Sequence, residues 1–219
     1  MADSLARAQL ARAAGALQRA AGSPLPALVL MTDDERLPDP RAAIRALPRG
    51  SLVVLRARES VRRIALAELL VRLSRERSFR WIVADDPTLA ARLGADGAHF
   101  PEQKIWLAAR WRVRRPAWLI TCAAHSLDAC LRAKRAGASA VLLSPVFPTA
   151  SHPGRSALGN LRARWIARAA PLPVYALGGT DARTTRRLAG ADLVGLAAIG
   201  GLAVRFRGAS RCAANTVNV

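Results

Sequence analysis

Short apolar runs alternate with amphipathic helical stretches from Pro24 onward, and this alternation predicts repeated β–α units. Strands that are buried on both faces are near-continuously apolar, as most of these runs are. Eight runs have the length of a strand: Ala27–Met31, Leu52–Leu55, Trp81–Ala84, Gly97–Phe100, Trp118–Thr121, Ala140–Leu143, Val174–Leu177 and Leu193–Leu196. Eight such units predict one α/β domain, a (β/α)8 barrel of the TIM type.

The stretches between these runs have helical periodicity. Five are predicted helices: Ile64–Glu76, Pro87–Leu93, Leu127–Ala136, Leu161–Ala169 and Ala182–Leu188. Three strands follow the same short phrase, GADGAHF, AGASAVLL or AGADLVGLA, in which a glycine ends the preceding helix. We expect Gly94, Gly137 and Gly190 to be C-caps with positive φ.

Two segments flank the predicted barrel, which covers residues 24–203. Residues 1–23 are basic and amphipathic and predict an extra N-terminal helix or extension. Their composition superficially resembles that of a transit peptide, but a packed or fraying helix is the favoured interpretation. Residues 204–219 have no periodicity and are expected to form a loosely packed or disordered tail.

The formal net charge is +19, which raises the question of nucleic-acid or membrane binding. The arginines are dispersed at helical spacings opposite faces of Ala and Leu, which indicates solvated helix faces. A nucleic-acid partner is therefore unlikely, and no apolar run approaches the roughly 18 residues of a membrane helix. Three cysteines without metal-ligand spacing favour a reducing compartment, and we expect a cytoplasmic protein.

Candidate chemistry lies where strands end, because barrel enzymes place their working groups at the C-terminal ends of the strands. All three histidines, His99, His125 and His152, occur at this end of the predicted strands. Each could cap a helix, form a hydrogen bond in the core or bind a metal. Contact with phosphate or with an aromatic ring of a ligand is the expected use.

Glycine pairs follow the seventh and eighth strands. Gly178 and Gly179 precede Thr180, and the sequence AAIGG at Ala197–Gly201 repeats the arrangement. Bare backbone amides beside a helix start bind anions, and barrels commonly hold phosphate at these two loops. The alternative is a pair of tight turns, but a phosphorylated small ligand is the preferred interpretation.

The loop after the sixth strand has the groups for a second phosphate. Four of its residues supply hydroxyl, imidazole and guanidinium donors: Thr149, Ser151, His152 and Arg155. Asp85, after the third strand, is placed to hold Mg²⁺ on a diphosphate, since that ion prefers one or two carboxylates with phosphate oxygens. Alternatively, Asp85 is the N-cap of the helix that begins at Pro87.

These residues resemble the thiamine phosphate synthase family, which includes thiazole tautomerases of the TenI type. The most specific match is SPVFPTASH at Ser144–His152, which is similar to the family loop G-P-[VI]-F-P-T-x-[TS]-K. Shorter similarities run in order along the chain: LVLMTD, VVLRAR, VADD, GADGAHF, AHS and YALGG. The resemblance covers roughly Leu28 to Gly201 and implies the same barrel fold.

The resemblance implies a transferase of thiamine biosynthesis that joins hydroxymethylpyrimidine diphosphate to thiazole phosphate and releases pyrophosphate, with Mg²⁺ as cofactor. Its small phosphorylated substrates would be bound at the strand ends, and a homodimer is possible. By position, the family's roles fall on these residues: Arg56 and Arg58 on the diphosphate, Asp85 on Mg²⁺, Thr149, Ser151 and His152 on phosphate, and Gly179 with Ala198, Gly200 and Gly201 on the thiazole phosphate.

Several site positions depart from the family pattern. Val54 replaces a Gln, Ala84 replaces an Asn, His152 replaces the loop Lys, and Lys104 stands in the place of the second Mg²⁺ ligand. Lys for Asp reverses a charge, so either Lys104 contacts the diphosphate directly or Glu102 binds the metal from a shifted loop. Two further interpretations of the function also stay open. One is a TenI-like tautomerase with His125 as the proton carrier. The other is a non-catalytic barrel that binds a phosphorylated ligand.

Overall fold

Eight parallel strands close into a barrel in the computed structural model of the chain, which describes residues 2–149 and 156–202. Each strand pairs with its neighbours in chain order, and β1 also pairs with β8. The strands are β1 Leu28–Met31, β2 Leu52–Leu55, β3 Arg80–Ala84, β4 Gly97–Phe100, β5 Leu119–Ala124, β6 Ala140–Leu143, β7 Val174–Ala176 and β8 Gly195–Ala198. The predicted (β/α)8 barrel is confirmed.

Helices surround the barrel on its outside. The α-helices are α1 Ala2–Ala20, α2 Arg41–Arg45, α3 Ser60–Arg77, α4 Pro87–Arg92, α5 Trp106–Arg114, α6 Leu127–Arg135 and α7 Gly159–Ala169. Short 3₁₀ helices cover Glu102–Lys104, Thr184–Leu188 and Gly200–Leu202. Gly94, Gly137 and Gly190 have φ of 68°, 77° and 70°, so the predicted left-handed caps are confirmed.

The segment after β7 differs from its prediction. An α-helix was expected over Ala182–Leu188, but a 3₁₀ helix begins at Thr184. The Asp181 side chain accepts the amides of Arg183 and Thr184, both at 2.8 Å, which is the pattern of a helix N-cap. Consecutive threonines lower the α-helix propensity of the residues that follow.

Five strands have ends that differ from those predicted, and in two of them, β5 and β8, an end differs by more than one residue. β5 continues three residues beyond Thr121, because its pairing with β6 extends as far as Ala124 opposite Leu143. β8 begins at Gly195 rather than Leu193. A Cβ atom at Gly195 would lie 2.1 Å from the Ala27 carbonyl oxygen, so the strand needs a bare backbone where it passes Ala27.

Helix α1 packs on the barrel where β8 meets β1. Leu10, Ala14 and Leu17 are buried on one of its faces, and their spacing is that of an amphipathic helix. The Gln18 side chain donates to the Leu25 carbonyl at 2.6 Å and ties the end of α1 to the approach to β1. The predicted extra helix is therefore part of the packed body. Among the described helices, none is long and apolar enough to cross a membrane.

Candidate active site at the carboxyl ends of the strands

Asp33, just after β1, organises the arginines at the ends of β1 and β2. Its side chain is 8% exposed and accepts from Arg56 Nη1 at 2.5 Å and from Arg36 Nη2 at 2.8 Å. Burial by itself would raise the pKa of Asp33, but the hydrogen bonds from Arg36 and the charges of Arg36 and Arg56 lower it to about 2. Asp33 is therefore a fixed anion that orients the Arg56 guanidinium.

The backbone of β2 places Arg56 and Arg58 beside the loop that follows β1. Thr32 Oγ1 donates to the Arg56 carbonyl at 2.9 Å and accepts the Arg56 amide at 2.8 Å. The Arg58 amide donates to Asp34 Oδ2 at 2.7 Å, and its exposed guanidinium lies 3.3 Å from Glu35 Oε1. The two arginines predicted to hold a diphosphate thus lie together at the mouth of the barrel, each beside a carboxylate.

Asp85 follows β3 in a left-handed conformation, with φ of 58°, and its amide donates to the His99 carbonyl at 2.9 Å. Lys104 Nζ donates to both of its carboxylate oxygens, at 2.8 and 2.9 Å. The neighbouring Asp86, rather than Asp85, caps α4 by accepting the Leu89 amide at 2.9 Å. The alternative interpretation of Asp85 as the helix N-cap is therefore wrong.

The acidic groups at this edge do not fit a magnesium ion as they stand. Lys104 holds both oxygens of Asp85. Glu102 accepts from Arg132 Nη2 at 2.8 Å and from the His125 amide at 3.0 Å. In the part of the chain that the structure describes, no cluster of three His, Cys, Asp or Glu residues is arranged around a metal position. The Mg²⁺ cofactor stays a prediction.

His99 lies within β4 and is 6% exposed. Its Nδ1 is 2.9 Å from Thr121 Oγ1 on the adjacent strand. Burial, together with the charge of Arg56, lowers the pKa of His99 to about 4, although Asp85 acts in the opposite direction. The ring is therefore neutral at physiological pH and sits as a hydrogen-bonded core residue beneath the rim. Its contact with a ligand stays a prediction.

His125 lies just beyond β5 with its ring orientation fixed. Its Nδ1 is 2.6 Å from the Ser144 carbonyl oxygen, which can only accept, so Nδ1 carries a proton. In the neutral ring, Nε2 is then the acceptor, and it lies 4.0 Å from Glu102 Oε2. This arrangement allows proton transfer at Nε2. The contact of Arg132 of α6 with Glu102 was not predictable, because basic residues occur throughout the chain and nothing distinguishes Arg132 among them.

Gly178 and Gly179, after β7, lie against the loop that follows β6. Their φ angles are 94° and 62°, and a Cβ at Gly179 would come within 2.6 Å of the Pro148 carbonyl oxygen. The Phe147 amide donates to the Gly178 carbonyl at 3.0 Å, which joins the two loops. Within residues 2–149 and 156–202, the amides of Gly178, Gly179 and Thr180 donate to no protein acceptor. Close packing thus explains the glycines, and the amides remain available to an anion.

The other predicted phosphate contacts have different positions. Ala198 is buried in β8, Gly200 is exposed, and a Cβ at Gly201 would lie 2.5 Å from the Thr180 carbonyl oxygen. Thr149 lies at the end of the described part of the loop after β6. Ser151, His152 and Arg155 lie outside the described residues, as do Cys212 and the predicted tail.

Comparison with known proteins places this architecture in context. Residues 28–202 match the family model described as thiamine monophosphate synthase. The chain is 36% identical over 141 residues to a thiamine-phosphate synthase of Thermus thermophilus, covering 63% of this chain and 68% of that protein. It is 37% identical over 91 residues to a relative from Aquifex aeolicus, covering 42% of this chain and 48% of the relative.

A solved structure has the same fold. The thiamine phosphate pyrophosphorylase of Pyrococcus furiosus superposes with a TM-score of 0.65 at 23% identity, covering 78% of this chain and 84% of that one. At this level of identity the similarity concerns the fold alone.

Proposed function

The chain belongs to the thiamine monophosphate synthase family, and from that premise we propose that it is a transferase of thiamine biosynthesis. It joins hydroxymethylpyrimidine diphosphate to thiazole phosphate. The bond between the pyrimidine methylene carbon and the diphosphate oxygen breaks, and its electron pair leaves with pyrophosphate. The ring nitrogen of the thiazole then donates its lone pair to the methylene carbon, which gives thiamine phosphate.

The observation that carries the proposal is the cluster of cations at the ends of β2 and β4. Arg56 and Arg58 follow β2 and Lys104 follows β4, all at the carboxyl end of the barrel, where negative charge would develop on a departing diphosphate. Donors that are already oriented stabilise such charge without reorganising during the reaction. Asp33 supplies that orientation for Arg56, whereas Arg58 pairs with Glu35 at an exposed position.

The loops after β7 and β8 supply the complementary half of the site. The amides of Gly178, Gly179 and Thr180 lie at the same end of the barrel as the cation cluster. Backbone amides that face a common point bind phosphate oxygens without any net charge of their own. We assign the thiazole phosphate to this half, so that one substrate is held mainly by cations and the other mainly by backbone donors.

Purified protein incubated with both substrates should form thiamine phosphate and pyrophosphate in equal amounts, as measured by mass spectrometry. In calorimetry, Arg56→Ala should weaken the binding of the pyrimidine diphosphate by about 10- to 100-fold, the range of a lost charge-assisted hydrogen bond. Thiazole phosphate binding should change far less. Arg110→Ala, at an exposed position on α5, is the matched control. Equal losses for both ligands would contradict the assignment of Arg56.

The geometry of His125 supports a second candidate, a TenI-like thiazole tautomerase. Its Nδ1–H is fixed by the Ser144 carbonyl, so Nε2 can accept and return a proton. In that case, His125→Asn should abolish turnover of a thiazole phosphate tautomer, whereas Asp85→Asn should leave it unchanged. The opposite pattern, with loss on Asp85 substitution alone, favours the synthase.

We also propose a cytoplasmic location and keep the homodimer as a prediction. Cys122 and Cys130 are buried thiols without a disulfide partner, which suits a reducing compartment. Light scattering on the purified chain measures its mass in solution and decides between monomer and dimer.

A further inference from the structure

Lysine is rare in this chain, and one of its lysines lies in the candidate site. Of the 34 basic residues, two are lysines, Lys104 and Lys134, which leaves 32 arginines. Lys134 is exposed on α6, away from the strand ends. Lysine and arginine are not equivalent, because an ammonium is a compact point charge, whereas a guanidinium is a broad planar fork. Lys104 is thus an exception to the chain's preference for arginine. It occurs in the candidate site, where a compact charge has a different effect from a broad one.

The Lys104 ammonium lies against Asp85 as a small cation would. Its Nζ is 2.8 Å from one carboxylate oxygen and 2.9 Å from the other, so one charge bridges both. An ammonium has three donors, and Asp85 uses two of them. The Lys104 side chain is 47% exposed, which leaves the third donor accessible from the mouth of the barrel.

Both partners are held by the backbone. Asp85 is fixed by its left-handed conformation and by the hydrogen bond that its backbone amide donates to the His99 carbonyl. Lys104 ends the 3₁₀ helix after β4, and its amide donates to the Pro101 carbonyl at 2.9 Å. The pair therefore joins the ends of two neighbouring strands. The Asp85–Lys104 pair has a net charge of zero. A site with two carboxylates and one bound dication has the same net charge.

We propose that the Lys104 ammonium takes the place of a divalent cation in this site, so that the chain binds diphosphate without a divalent metal ion. The free donor of Lys104 contacts a diphosphate oxygen, while Arg56 and Arg58 neutralise the rest of the charge. A dication at the Asp85 carboxylate, which is 43% exposed, would lie beside the Lys104 ammonium and be repelled by it. The inference rests on the proposed function for its ligand, a diphosphate.

Selective amine labelling tests the contact directly, because Lys134 is an internal reference in the same molecule. The protein is acetylated briefly in EDTA, with and without inorganic pyrophosphate, and each lysine is quantified by peptide mass spectrometry. Pyrophosphate should slow labelling of Lys104 at least threefold and leave Lys134 unchanged. Protection of Lys104 only when Mg²⁺ is added, or no protection at all, would overturn the proposal.

Calorimetry with inorganic pyrophosphate tests the role of the charge. The Kd of the wild-type protein should agree within about threefold between EDTA and Mg²⁺. In EDTA, Lys104→Asp should bind at least tenfold more weakly, and Mg²⁺ should restore much of the loss by bridging the new carboxylate pair. Lys104→Arg, which keeps the charge, should lose less than Lys104→Asp, and Lys134→Ala should bind like the wild type. Circular dichroism confirms that each variant is folded.

Two results would contradict the proposal. One is a wild-type affinity that rises tenfold or more with Mg²⁺, and the other is a folded Lys104→Asp variant that binds normally in EDTA.

Turnover separates this inference from the proposed function. Thiamine phosphate formed equally in EDTA and in Mg²⁺ supports both. Product formed only with Mg²⁺ overturns the inference and leaves the transferase intact. If no product forms in either condition while pyrophosphate still binds in EDTA and protects Lys104, the proposed reaction is wrong and the metal-independent anion site stands.

Discussion

Substitution of Asp33 by asparagine should destabilise the protein by about 2 kcal/mol at pH 7. The pKa of this carboxyl is lowered from 3.8 to about 2 in the folded protein. Each pKa unit corresponds to 1.36 kcal/mol, so the shift amounts to about 2 kcal/mol of stability from the ionised group. Because the folded pKa is the lower one, this contribution is complete above pH 3.8 and is lost as the pH falls through about 2.

Urea unfolding followed by tryptophan fluorescence measures the free energy of unfolding of both proteins. The value for the wild type should exceed that for Asp33→Asn by about 2 kcal/mol at pH 7, and this difference should narrow as the pH falls below about 4. Asp39→Asn is the matched control, since Asp39 pairs with Arg41 on the surface, where both side chains are at least 60% exposed. A gap below about 0.5 kcal/mol at pH 7, or one that does not change with pH, would refute the reasoning.

Three further predictions concern the pH dependence, the loops and the thiols. Burial holds the pKa of His99 near 4, below its ordinary 6.5, so the free energy of unfolding should rise as the pH increases from 4 to 6.5. In urea titrations, His99→Gln should flatten that rise. An unchanged dependence of the free energy on pH would contradict the prediction. Gly179→Ala should lower the melting temperature more than Gly190→Ala. Both residues have positive φ, but only at Gly179 would the added Cβ atom lie closer than 3 Å to other atoms. Equal shifts in melting temperature would show that the contact with Pro148 is relieved without cost. Burial raises the pKa of Cys122 to about 12 and that of Cys130 to about 11, so in a Cys212→Ser variant neither thiol should react quickly with a disulfide reagent at pH 8 until the protein is unfolded.

The architecture was predictable because it depends on patterns that are local in the sequence. A buried parallel strand is a short apolar run, and the glycines at positions 94, 137 and 190 mark the helix ends by their backbone freedom. The predicted strand ends are wrong where the local sequence pattern is ambiguous. Ala123 and Ala124 are small residues of weak strand preference, so pairing with β6 rather than propensity extends β5.

The partners of the site residues could not be predicted in the same way. Asp33 and Arg56 are 23 positions apart, and they meet because β1 and β2 pair with Met31 opposite Val54. Nothing in the sequence distinguishes Arg56 from the other arginines as the partner of Asp33. Lys104 is different, since it is one of two lysines, yet only the fold brings its Nζ onto the carboxylate of Asp85.

The overall charge of the chain is a poor guide to how its anion site works. Of its 15 acidic residues, six lie at the strand ends: Asp33, Asp34, Glu35, Asp85, Asp86 and Glu102. Each of them contacts an arginine or lysine. These carboxylates weaken the local positive potential, but they fix the directions in which the cations point. Affinity for a phosphorylated ligand therefore depends on oriented donors more than on the net charge of +19, much of which is dispersed over the outer helices.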